Sequence, residues 1–173
     1  RVTNLNLGLL HFELAQGLSE IEDKPKALEH YRNAVSLLDE MALQPWDFVS
    51  NDDRDPVTET QKGLNRKLLQ CYSQMKYLTP GTMTGEEEQE AEIYDILHRI
   101  ANLRAAFGEH AAARDLDLSV VSHQRETQGD NSLVVADLLF NLGTVYSCLE
   151  DMDNAFDCHE ECQLISEAII GKD

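Results

Sequence analysis

Apolar residues recur along this chain at the spacing of one helix face. In the last third, Leu139, Leu142, Val145, Tyr146 and Leu149 fall three or four apart, which puts them on one side of an α-helix. Ser132 is placed to cap its start. The acidic stretch Glu150-Asp151-Met152-Asp153 reads as a turn. A second helix follows, carrying Ala155, Phe156, Cys162, Ile165 and Ile169, and Gly171 ends it. Upstream, the pattern predicts a helix over about 86–107, a turn at Gly108, and a helix over about 110–127 that stops before Gly129.

The two helix pairs superimpose at a shift of 42 residues. Leu97 then meets Leu139, Ile100 meets Leu142, Leu103 meets Val145, and Phe107 meets Leu149. Ala101 meets Gly143, Glu109 meets Asp151, Ala113 meets Ala155, Val120 meets Cys162, and Gly129 meets Gly171. Small residues at Ala101, Gly143, Ala113 and Ala155 suit antiparallel helices that cross closely, because a large side chain there would hold the axes apart. An earlier unit spans about 8–41. Its second helix carries Ala27, Tyr31 and Ala34 as the last carries Ala155, His159 and Cys162. Leu14, Ala15 and Leu18 mark its first helix, Asp23 the turn, and Pro25 the first turn of the second helix.

Between 42 and 93 the pattern is irregular. Pro45-Trp46 and Asn51 to Pro56 read as a loop, with Phe48 between them. Residues 57–77 read as one long helix with Leu64, Leu68, Tyr72 and Met75 on a face, broken at Thr79-Pro80-Gly81. The helix pairing of this segment stays open. A loop rich in apolar groups would favour a fixed subunit of an assembly, since such loops tend to dock.

Charge narrows the partners. The 173 residues hold 14 Lys+Arg against 32 Asp+Glu, a formal charge of −18. Such a field repels nucleic acid and anionic bilayers and attracts a basic segment of another protein. It also suffices to keep a helical surface solvated. Four cysteines, Cys71, Cys148, Cys158 and Cys162, show no disulfide framework. A reducing compartment, the cytoplasm or another, is therefore expected. No apolar run approaches the roughly 20 residues that span a bilayer, and no signal peptide is visible. The chain begins at Arg1, which leaves an upstream targeting segment open.

The stretch VADLLFNLGTVYSCLEDMDNAFDCHEECQLI (135–165) resembles a tetratricopeptide repeat. Leu139, Leu142, Gly143 and Tyr146 match the family's first-helix pattern; Asp151, Ala155 and Cys162 match its turn and second helix. His159 stands where an aromatic is usual, Cys162 where alanine is, and Arg104 replaces the first-helix aromatic of the preceding unit. The period of 42, against about 34 in the common repeat, and the join QGDNSLVVA (128–136) resemble the lengthened repeats of kinesin light chains. IIGKD (169–173) is similar to the start of another join.

The resemblance implies an all-α fold: helical hairpins stacked in a right-handed superhelix, an α-solenoid. One array would cover 1–173, with units at about 8–41, a degenerate 42–93, 94–129 and 136–171, as a fragment of a longer array. It implies that first helices line a concave groove that holds a peptide or helix of a partner. Groove positions would be Asp137, Phe140, Asn141, Thr144 and Ser147 in the last unit and Asp95, His98, Arg99, Asn102 and Ala105 in the one before. In the first unit they would be Phe12, Glu13, Gln16 and Ser19. The partner-binding set is His98, Arg99, Asn102, Asp137, Phe140, Asn141 and Thr144. Asn102 and Asn141 can both donate to and accept from a peptide backbone, and Phe140 can anchor an apolar group. The plainer alternative is that these are ordinary solvated or stacking residues.

Other motifs carry less. Cys158-His159-Glu160-Glu161-Cys162 offers thiols one turn apart. A structural zinc site wants four ligands, however, and the repeat register gives Cys162 a packing place. Glu86 to Glu90 complements a helix N-terminus or docks a basic partner. No catalytic motif, metal site or cofactor site is expected. The sequence therefore reads as a non-catalytic interaction scaffold or adaptor, or a structural subunit, whose partner is a protein or peptide, one with a basic segment among them. It should bind no nucleic acid and insert into no membrane. The alternatives are a repeat-based sensor of a small molecule or signal peptide, and the substrate-recruiting region of a larger enzyme.

Overall fold

The computed structural model describes residues 2–39, 59–80 and 85–171. The expected loop with Trp46 and Phe48, the Gly81 break and the closing Lys172-Asp173 lie outside the described residues. Among the described residues there are seven helices and no strand. They divide into two compact units, Arg1–Leu103 and Arg104–Asp173.

The first unit opens with a hairpin of α1 (Val2–Glu20) and α2 (Lys24–Leu38). α1 buries Gly8, Phe12 and Ala15; α2 buries Ala27, Leu28, Tyr31, Ala34 and Leu38. A Cβ on Gly8 would stand 2.6 Å from Leu38 Cδ2, so the missing side chain sets how closely the two helices meet. Phe12 packs edge-on against Tyr31, ring centres 6.3 Å apart. Phe12 is thus a core residue and not a groove residue. Leu14, one of the apolar residues that mark this helix in the sequence, is 45% exposed. The reason is rotational: once Gly8 faces α2, positions four and seven later follow it inward, and Leu7, Leu10 and Leu14 turn out.

α3 (Glu59–Leu78) lies against α2. It buries Leu64, Leu68, Cys71, Tyr72, Met75 and Leu78, the face expected from sequence with Cys71 and Leu78 added. Its Lys67 reaches α1, 4.4 Å above the Phe12 ring and 3.5 Å from Glu13. After Pro80 the chain enters α4 (Glu86–Ala106). Gln89 Nε2 of α4 donates to Thr79 O at the end of α3, 3.1 Å.

The second unit holds the last turn of α4, then α5 (His110–Gln128), α6 (Leu133–Cys148) and α7 (Met152–Ile170). Ala105 packs with Ala113 and Val145, and Leu149 lies against them. Ala105 is therefore core, where the groove was expected; it comes one turn before Gly108, at the level where the chain reverses. Ser132 caps α6, accepting from Val135 N at 3.2 Å. Against α6, α7 buries Ala155 and Ile165, while Phe156, beside Ala155 in the apolar pattern of this helix, is 65% exposed.

All three hairpin turns share one geometry. A residue with positive φ (Glu22 at 62°, Gly108 at 79°, Glu150 at 60°) precedes an acidic residue that starts the next helix. That acidic residue's N–H donates five residues back: Asp23 to Leu18 O at 3.0 Å, Glu109 to Arg104 O at 2.9 Å, Asp151 to Tyr146 O at 3.0 Å. Carbonyls that would end the helix unsatisfied are thereby taken up. Asp23 and Asp151 also accept from Lys26 N and Asn154 N, both at 3.4 Å. Glu109 makes no such cap and pairs with Arg104 instead. Gly129 has φ 82°, but Gly171 ends α7 at φ −75°, without the left-handed conformation expected of it.

At Gly143 in the second unit, α7 comes within side-chain distance of the α6 backbone. A Cβ there would lie 2.7 Å from His159 Cε1. Gly143→Val is expected to lower stability by about 1–3 kcal/mol through overpacking. In a His159→Ala background the same change should cost clearly less. Chemical denaturation of the four variants of this cycle checks it; equal costs in both backgrounds would remove His159 as the constraint.

Candidate binding surfaces

Two surfaces emerge, one in each unit. In the first, α2, α3 and α4 enclose a cleft of about 430 Å³. Two ion pairs between α2 and α4 cross it. Arg32 donates to Glu92 twice, Nε to Oε1 at 2.8 Å and Nη2 to Oε2 at 2.6 Å. Arg99 Nη1 donates to Asp39 Oδ2 at 3.2 Å. The paired geometry of Arg32 gives direction as well as charge. Both pairs remain open to solvent on the arginine side, 42% exposed, so each adds little to stability. Val35, Met75, Ile96 and the Tyr72 ring form the apolar walls. Burial pushes the Tyr72 phenol above its ordinary value, and the nearby Asp39 carboxylate adds to this.

The expected site residues of α4 fall at this end of the chain. Arg99 is held by Asp39 and lines the cleft. His98 Nε2 and the Asn102 amide are joined at 3.1 Å, one turn apart. Asp95 is exposed on the cleft rim. The partners Arg32, Asp39 and Glu92 were not singled out from sequence, and Tyr72 only as one residue of the face of α3. Asp95 and Arg99 carry an (i, i+4) signal, but no periodicity links α2 with a helix sixty residues on.

In the second unit, α6 presents the remaining four. Asp137 is exposed, Phe140 is 50% exposed, and Asn141 and Thr144 are half-buried. Thr144 Oγ1 donates to Phe140 O at 3.0 Å, back onto its own helix. The Phe140 ring stands 5.5 Å from the His159 ring, which supports it from below. Leu133 and Val134 are also exposed, an apolar beginning to this face that was not expected. Glu13 and Gln16 of α1 are exposed as anticipated, while Ser19 donates to Ala15 O.

Among the described residues, no three His, Cys, Asp or Glu side chains gather as a metal site would require. His159, adjacent to Cys158 and Cys162, is spent on Gly143 and Phe140. Cys71 is fully buried and its thiol is pushed up to about 12 by burial, the setting of an inert structural thiol. Among the described residues no helix is long and apolar enough to cross a membrane.

Residues 92–168 match the tetratricopeptide repeat family model. That stretch begins within α4 and ends within α7, covering most of both hairpins of the 42-residue comparison. Among solved structures, the chain is similar to BtubC (BKLC) from P. vanneervenii, at 17% identity and a TM-score of 0.46, over 96% of this chain and 73% of that one. No curated protein matches.

The environment of Tyr72 has a consequence at high pH. Its phenol ionises above the ordinary value of 10.0 in the folded chain and near that value once unfolded. The unfolded state thus gives up the proton first, so the contribution of Tyr72 to stability is complete below about pH 10 and falls as pH rises beyond it. Tyr72→Phe should flatten the loss between about pH 10 and 11.5. Cys71, raised in the same sense, is common to both proteins and cancels in the comparison. Urea midpoints across this range provide the check; parallel curves would show that Tyr72 ionises freely.

Proposed function

We propose that this chain is a protein-interaction scaffold of the tetratricopeptide-repeat type, without catalysis of its own. It takes an extended peptide or a helix of a partner on the first-helix faces of its hairpins. The observation that carries this reading is the family match over 92–168, combined with what α6 leaves exposed. Asp137 and Phe140 stand out from it, with Asn141 and Thr144 alongside, on a helix whose other side is fully buried. Half of the Phe140 ring stays in water although it rests on His159, and an interface could use that half as an anchor.

On this reading, His98, Arg99 and Asn102 of α4 act as Asp137, Phe140, Asn141 and Thr144 of α6 do. The 42-residue spacing is a lengthened repeat like that of kinesin light chains. Positions 42 apart support it: Leu97 and Leu139, Ala101 and Gly143, and Ala113 and Ala155 are each buried. The units at about 8–41, 42–93, 94–129 and 136–171 then belong to one array. The charge of −18 favours a partner with a basic segment over nucleic acid, and the free thiols suit a reducing compartment.

Affinity capture from the cells of origin, read by mass spectrometry, tests the reading with the chain and its Asn102→Ala/Asn141→Ala variant. Two amide contacts of about 1 kcal/mol each correspond to a loss of about 10–30-fold in affinity. The partner is therefore expected on the wild type and largely absent from the variant. A partner retained in full would move the contact off these faces.

A further inference from the structure

We propose that the cleft between α2, α3 and α4 is a receptor for one basic side chain, an arginine or lysine, of a partner polypeptide. The charges around it do not balance. Arg32 is clamped by Glu92 and Arg99 by Asp39, so each guanidinium already has its carboxylate. Asp95 adds a third carboxylate, so that among the described residues the lining holds three carboxylates against two guanidiniums. An incoming anion would have to displace a carboxylate from an arginine and would still meet Asp95. An incoming cation meets a charge that is in excess locally and attractive at long range, given the −18 of the whole chain.

The walls select which cation. Val35, Met75, Ile96 and the Tyr72 ring give the cleft an apolar interior, and its roughly 430 Å³ falls in the range of sites that hold a ligand group. Arginine and lysine carry an aliphatic stem that lies on such surface while the charged end stays near water. The stem would cover Met75 and Ile96, and the head would reach Asp95 at the rim. Glu92 and Asp39 stay with their arginines and hold the rim open, so the site exists before the partner arrives. The inference rests on the scaffold reading only in making the ligand part of a polypeptide.

The test is a calorimetric titration of the whole chain with two synthetic twelve-residue peptides. One has arginine and lysine interspersed with glycine and serine; the other has glutamine at the basic positions. The basic peptide is expected to bind and the glutamine peptide not to. Asp95→Asn should weaken the basic peptide about 5–10-fold, as expected for loss of a close charge pair. It leaves both arginine pairs and the apolar walls in place. Glu160→Gln on the exposed side of α7 removes the same charge elsewhere and should change affinity less than about twofold. Methyl signals of Met75 and Ile96 should shift on binding. Equal weakening by the two substitutions would show attraction by the diffuse field alone and overturn the proposal, as would binding without a shift at Met75 and Ile96. No natural partner enters this titration. A chain that binds the peptide at the cleft but captures nothing from cells loses the scaffold reading and keeps the cleft; capture without peptide binding does the reverse.

Discussion

Two helices of an antiparallel pair can approach closely only where one of them lacks a side chain, and both hairpins with a described glycine crossing are built around that constraint. Gly8 receives Leu38, and Gly143 receives His159. Each contact fixes the rotation of its first helix about its own axis, since a turn of one residue would drive a larger side chain into the same space. Everything else on that helix follows. In α1 the choice sends Phe12 and Ala15 inward and Leu7, Leu10 and Leu14 outward. In α6 it buries Leu139 and Leu142 and leaves Asp137 and Phe140 facing solvent. The exposed face that could meet a partner is thus the complement of the glycine contact.

The turns solve a second problem, how to end one helix and start the next within a few residues. The positive-φ residue lets the chain reverse, and the acidic residue after it starts the next helix while returning a hydrogen bond to the previous one. Only Gly108 is suited to that conformation by its lack of a Cβ. Glu22 and Glu150 adopt it at an energetic cost of about 1–2 kcal/mol each, which the return hydrogen bond and the Asp23 and Asp151 caps offset.

Charge acts at two ranges. Over the whole molecule the acidic excess sets up a field that attracts cations and repels anions. Inside the first unit the same residue types are organised, with α2 and α4 joined by Arg32–Glu92 and Arg99–Asp39 across apolar walls. The ion pairs contribute little stability because they are open to water; their effect is on the shape and sign of the cleft. On the proposal made for the cleft, the two ranges would work together: a basic segment drawn by the distant field would find a carboxylate in excess at the rim.

The helices, their caps and their turns were legible in the sequence, because each is decided by neighbours a few residues apart. Ser132, Asp23, Gly108 and Gly129, and the Leu64 to Met75 face of α3, are such cases. The faces of α4 and α5 and the small residue at Gly143 were legible for a related reason: a repeated pattern reports which positions are packed without saying on what. Phe12 and Ala105 were misread as groove residues, the exposure of Leu14 and Phe156 was not foreseen, and Arg32, Asp39 and Glu92 were passed over. Those depend on helix rotation and on residues sixty positions apart. An amphipathic sequence specifies that a face is buried, but when both faces hold apolar residues, as in α1, only the neighbouring helix decides which one it is.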